Sequence, residues 1–275
     1  MQPIAGGTPS AFDSAVTWVE AYEGGWQVLF PNGGEATVYK GVELNYHGEA
    51  STSVWDVDGV ETDGDSAQIR LSVRLRRSPF RIERTMRLEG DRPVLIIRER
   101  VTNVGGEPME FMWGHHPAYG APFLSGACRV DTSARTIWAD DVYDGEANPL
   151  EPGGTFAWPT VERNGVTTDL SQVPGEDDAP QQTMGFLRDF PGSHGWYGIT
   201  NQDMGLGVGL VWPLEVFPYA WFWQEMHASP GFPWYKAIYA MAIEPFTSYP
   251  GGLGNVMAKT GTQRSLGPGE SLAME

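Results

Sequence analysis

Basic residues are scarce in this chain of 275 residues: 18 lysines and arginines stand against 35 aspartates and glutamates, a formal net charge of −17. Such a balance argues against nucleic acid or an anionic membrane as partner and suits an uncharged small ligand. Cysteine is almost absent. The lone Cys128 cannot form an internal disulfide, which suits a reducing compartment, so the cytoplasm is the expected location. No apolar run reaches membrane-spanning length, and no basic segment followed by an apolar run opens the sequence. Sustained helical periodicity is nearly missing. Equally missing are a Gly-x-Ser-x-Gly elbow, a glycine-rich phosphate loop after a strand and a Cys-x-x-Cys pair, which leaves nucleophilic hydrolysis and nucleotide chemistry without support. Histidines number five, and two are adjacent, His115 and His116. Metal ligands on one strand need alternate positions to reach one side, so this pair does not predict a metal site.

What the chain has in quantity is glycine (35), proline (21) and tryptophan (11). Glycine and proline punctuate short strands. Tryptophan beyond the needs of a core suits carbohydrate, because a sugar ring presents flat C–H patches to an indole that also donates an N–H. Length suits one large β domain or two small ones; the expectation is one all-β domain over 1–275, with 1–16 as a flexible lead-in and 139–182 as an acidic, loop-rich excursion.

The clearest strand is Gln68 to Arg77, where Ile69, Leu71, Val73 and Leu75 alternate with Arg70, Ser72, Arg74 and Arg76. Arg81–Leu88 and Val94–Asn103 follow as a hairpin about Glu89-Gly-Asp-Arg92. Arg84 breaks the pattern by sharing a face with Ile82, Met86 and Leu88, where a charge is costly unless paired. If Leu88 pairs with Pro93, Glu99 lies diagonally across from it. Arg84 is then either the partner of Glu99 or an arginine reaching into a pocket. Val216–Glu225 is an aromatic strand carrying Phe217, Tyr219, Trp221 and Trp223 on one face. Tyr235–Pro245 is a last apolar strand, and Leu266–Met274 reads as a turn into an edge strand. His116 precedes a proline, which holds it extended at the end of a strand, and neighbours on a strand point to opposite faces. Only one of the two imidazoles can therefore enter a given pocket. Acid–base chemistry by histidine and carboxylate is what remains, and Glu244 closes the last apolar strand.

Three stretches carry a resemblance to a known family. His116-Pro-Ala-Tyr119, preceded by Val101-Thr-Asn-Val-Gly-Gly-Glu-Pro-Met-Glu-Phe-Met112, is similar to the central histidine motif of the aldose 1-epimerase (galactose mutarotase) superfamily. Ile243-Glu-Pro245 resembles its late glutamate motif, and His47-Gly48 its earlier His-Gly motif. Gly267-Pro-Gly-Glu-Ser271 fits its closing strand. The resemblance, to a divergent branch, implies a large antiparallel β-supersandwich and an aldose mutarotase or related epimerase acting on a small-molecule sugar. It makes Glu244 the base and His116 the acid, with His47 binding the sugar, Arg84 a hydroxyl-binding partner and Trp55 and Trp223 stacking faces. No cofactor is implied, and the oligomeric state is left open. Two alternatives share the fold: a carbohydrate-binding protein without catalysis, and a phosphosugar mutarotase using arginines between Arg70 and Arg100. A β-sandwich lyase or hydrolase would need a second carboxylate near Glu244, for which Glu225 is the candidate.

Overall fold

The alternating residues after Gln68 form the strand Ser66–Arg74, which pairs antiparallel with Phe80–Glu89, and that strand pairs with Leu95–Asn103. The computed structural model that shows this describes residues 15–22, 24–90 and 92–275. Residues 1–14, most of the expected lead-in, lie outside the described residues, while Ala15 opens a short helix, Ala15–Ala21.

Two compact units divide the chain: Met1–Ala21, Val28–Trp113 and Gly251–Glu275 form the first, Tyr22–Gln27 and Gly114–Pro250 the second. The first unit holds a five-stranded sheet in the order Ser271–Met274, Leu95–Asn103, Phe80–Glu89, Ser66–Arg74, Asp56–Asp63. Cross-strand neighbours bring apolar side chains to one face, Val73 opposite Ile82 and Ile82 opposite Val101. The rings of Phe30, Phe80 and Phe111 meet beside them at centroid distances of 4.8 to 5.6 Å. All three are fully buried, a gain of roughly 1.5–3 kcal/mol each. The hairpin register differs from the expected one: Leu88 pairs with Leu95 and not with Pro93. Pro93 has no N–H to give a ladder, and Val94 N–H turns back onto the Arg92 carbonyl at 2.8 Å, so pairing begins two residues later. Arg84 thereby lies directly opposite Glu99.

The second unit is built on a mixed-length antiparallel sheet: Gly114–Gly120, Tyr239–Phe246, Tyr219–Met226, Gln181–Arg188, Thr136–Ala139 and Thr155–Ala157, with the start of Trp26–Leu29 on its edge. A three-stranded sheet, Cys128–Thr132, His194–Asn201 and Leu206–Pro213, completes it. Gly114 pairs with Phe246, whose ring covers it; a Cβ there would lie 2.2 Å from the ring. Phe246 in turn stacks on Trp221 at 4.0 Å, so this glycine sets how closely the strand bearing His116 approaches the strand bearing Glu244. The excursion over 139–182 contains the hairpin Thr160–Arg163 with Val166–Asp169. One guanidinium knits it: Arg163 donates to the carbonyls of Gly145 and Asn148, both at 3.0 Å, and to Asp144 at 2.6 Å. The last apolar strand begins at Tyr239 and not at Tyr235, because residues 227–238 form an ordered loop. Among the described residues no helix is long and apolar enough to cross a membrane.

Candidate active site

The register between Gly114–Gly120 and Tyr239–Phe246 pairs Ala242 with Ala118 and Phe246 with Gly114, which leaves Glu244 opposite His116 on one face. On the far side of Glu244 the strand Tyr219–Met226 places Trp221 directly opposite it, and Trp223 opposite Ala242. His116 is thus the third residue of its strand and not its end. His115 points the other way. Its Nδ1 accepts the indole N–H of Trp26 at 3.0 Å and its ring meets Phe217 edge-on. The alternation of a strand separates the two imidazoles, one into packing and one toward a carboxylate.

His116 Nε2 lies 3.8 Å from Glu244 Oε1, and both side chains are more than nine-tenths buried. That separation exceeds a direct hydrogen bond. Glu244 Oε2 is buried with no hydrogen-bond partner among the described residues. Burial pushes the Glu244 carboxyl well above the usual carboxylate range and lowers the His116 imidazole to about 4. Both shifts run toward the neutral forms, since burial penalises each charged form, and one proton on the carboxyl leaves both groups uncharged. Aromatic rings enclose the pair. Trp223 stands 6.4 Å from the His116 ring, and Tyr22 meets that ring edge-on at 5.8 Å. Burial and then the Glu244 charge push the Tyr22 phenol up to about 12. No sequence signal pointed to Tyr22, which lies between a helix and a glycine turn. Behind the strand, the hydroxyls of Tyr119 and Tyr197 share a hydrogen bond of 2.8 Å.

Linkage gives the pair a stability signature. Above pH 4.5 an unfolded Glu244 ionises while the folded one resists, so its burial costs more stability as pH rises toward the folded value. Glu244→Gln is therefore expected to raise the melting temperature, and to raise it more at pH 8 than at pH 5, each kcal/mol appearing as about 2–4 °C. Thermal melts at both pH values check this; an equal difference at both would contradict it. His116 acts with the opposite sign, losing stability as pH falls from 6.5 toward about 4.

His47, Arg84 and Trp55 belong to the first unit. His47 is buried; Gly34 N–H donates to its Nδ1 at 3.0 Å and its ring stacks on Tyr46 at 4.0 Å. His47 and Gly48 both take positive φ, 60° and 80°. A Cβ on Gly48 would lie 2.4 Å from the Asn32 carbonyl oxygen and 2.6 Å from that of Phe30. Gly48→Ala is expected to destabilise the protein by about 2–3 kcal/mol, read by chemical denaturation, since backbone and not a mobile side chain must yield. Arg84 is spent largely on Glu99: Nε donates to Oε1, and the two side chains are 11% and 0% exposed. Its guanidinium also lies over the Trp55 ring, 5.5 Å from the centroid, while Trp55 Nε1–H donates to the Ala50 carbonyl at 3.2 Å. Glu225, the candidate second carboxylate, is fully engaged elsewhere: it accepts from Ala228 N–H and Ser229 N–H, both at 2.8 Å, and from the Ser229 hydroxyl at 2.5 Å.

No curated protein matches the chain. Among solved structures it is similar to a Klebsiella pneumoniae protein provisionally described as an aldose 1-epimerase, at 15% identity and a TM-score of 0.69 over 100% of this chain and 68% of that one. It is also similar to a galactose mutarotase-like protein from Clostridium acetobutylicum (20% identity, TM-score 0.62, 90% and 77% of the chains). The Slr1438 protein from Synechocystis sp. PCC 6803 aligns comparably (17%, TM-score 0.62, 90% and 75%). The fold is that of the galactose mutarotase-like proteins, all-β and antiparallel. Residues 4–275 match one family model, described as a domain of unknown function (DUF4432), and the chain belongs to that family.

Proposed function

We propose that the protein is an aldose mutarotase or a closely related sugar epimerase. The observation that carries this reading is the facing pair, a buried imidazole and a buried carboxylate 3.8 Å apart, walled by aromatic rings. Ring opening needs one proton removed and one delivered on neighbouring oxygens. Glu244, ionised when His116 holds the shared proton, takes the proton of the anomeric hydroxyl. The C1–O1 bond becomes a carbonyl as the bond from C1 to the ring oxygen breaks, and that oxygen receives the proton of His116. The pair is left as protonated Glu244 and neutral His116, the form that burial favours. After rotation about C1–C2, the reverse transfers close the ring on the other face. No oxidant or reductant is consumed, and proton number is unchanged over the cycle. Each group supplies roughly 10²–10⁴-fold.

Trp223 offers its face to the sugar in this reading. Binding roles for His47, Arg84 and Trp55 come from the family resemblance. A neutral sugar is favoured over a phosphosugar because Arg70, Arg81, Arg84, Arg87, Arg92 and Arg98 each pair with a glutamate. Saturation-transfer NMR on matched neutral and phosphorylated aldoses tests the choice: anomer exchange above the spontaneous rate is expected for neutral sugars. Exchange confined to the phosphorylated set would replace this substrate class.

A further inference from the structure

Residues 227–238 join the strand that carries Trp223 to the strand that carries Glu244. The loop is built to hold one shape. Glu225, 1% exposed, is wholly spent on Ala228 and Ser229 at its start, and Gln182 Nε2–H donates to the Ser229 hydroxyl at 2.7 Å. His227 N–H donates to the Ile238 carbonyl at 2.8 Å, Lys236 N–H to that of Ser229 at 2.9 Å and Tyr235 N–H to that of Gly231 at 2.7 Å. Three residues other than glycine, His227, Tyr235 and Lys236, hold positive φ, a conformation kept only where the surroundings enforce it.

What this rigid loop displays is aromatic. Trp234, half-buried, lies 5.8 Å from Trp223 at a tilt of 44°, and Trp223 is the ring beside His116. On the same loop Phe232 and Tyr235 stand edge to face at 6.2 Å, 48% and 66% exposed. A core role would bury these two rings. A clustered and exposed aromatic pair, on the same loop as the Trp234 ring that meets Trp223, fits a binding surface. Lys236 is the one charged side chain of fixed sign in the loop, so the surface suits an uncharged ligand with flat C–H faces.

We propose that this loop is a second sugar-binding subsite, and that the substrate is a reducing oligosaccharide whose terminal ring occupies the site of His116 and Glu244. The proposal rests on the mutarotase reading for its chemistry but not for its binding. Anomerisation touches only the reducing ring, so the remaining rings are free to lie along Trp234, Phe232 and Tyr235. Energy from such remote contacts is available to hold the reacting ring in place.

The test compares glucose with the α-1,4 and β-1,4 oligosaccharides of two to four residues, using exchange NMR for kcat/KM and calorimetry for Kd. In at least one series both are expected to improve with length by about tenfold on occupying the subsite, the scale of one added aromatic contact. The double substitution Phe232→Ala, Tyr235→Ala should abolish that dependence, with circular dichroism confirming the fold. Flat kcat/KM and Kd in both series, or a length dependence that survives the double substitution, would overturn the subsite. If no sugar is anomerised, the catalytic reading falls by itself. In that case a length-dependent Kd lost in the double variant still upholds the subsite, and a flat Kd overturns it.

Discussion

Glu244→Gln is expected to lower kcat for anomerisation by about 10²–10⁴-fold with a much smaller change in KM. The amide fills the same volume opposite His116 and keeps a carbonyl oxygen toward the sugar, so binding survives. It cannot accept the proton of the anomeric hydroxyl at any accessible pH. An interaction made only in the transition state is lost, and such losses appear in kcat. A variant that retained more than a tenth of the wild-type rate would assign the base elsewhere.

His116→Asn is expected to cost a similar factor, again about 10²–10⁴-fold. The combination of both substitutions should be scarcely slower than either one alone. The reason is the shared proton: the carboxylate is a useful base only when the imidazole carries the proton that the ring oxygen will receive. Removing either partner ends the same coupled transfer, and groups that act as a unit are grossly non-additive. Initial rates from polarimetry, taken above the spontaneous background, give the comparison for the two single variants and the double. Strict multiplication of the single effects would mean that the two side chains act on separate steps.

Much of the fold is legible in the chain because its strands are half-buried and alternate. The arginine-flanked strand at Ile69–Val73 and the placement of Arg84 and Glu99 on one face both follow from period two. The exact register of that hairpin does not, since it depends on where Pro93 lets the ladder close. The start of the last strand is hidden for a different reason. Tyr235 and Lys236 look like strand residues by composition, yet the distant Glu225 carboxylate captures the preceding turn and both residues take positive φ. In the candidate site, His116 and Glu244 are separated by most of the second unit. Their facing arrangement follows from a cross-strand register that only motif resemblance hinted at. Tyr22 had no such motif, because its position beside His116 comes from tertiary packing alone. His115 shows how local chemistry still decides: two identical side chains are sorted by strand alternation, one into the Trp26 hydrogen bond and one into the facing pair.

The central claim is that the His116–Glu244 pair opens and recloses a sugar ring. Saturation-transfer NMR at the anomeric protons, with wild type and Glu244→Gln measured side by side on one neutral aldose panel, tests it most directly. The account predicts exchange faster than the spontaneous rate for wild type with at least one sugar, falling to background with the variant. No acceleration by wild type across the panel, or acceleration that Glu244→Gln leaves intact, would contradict it.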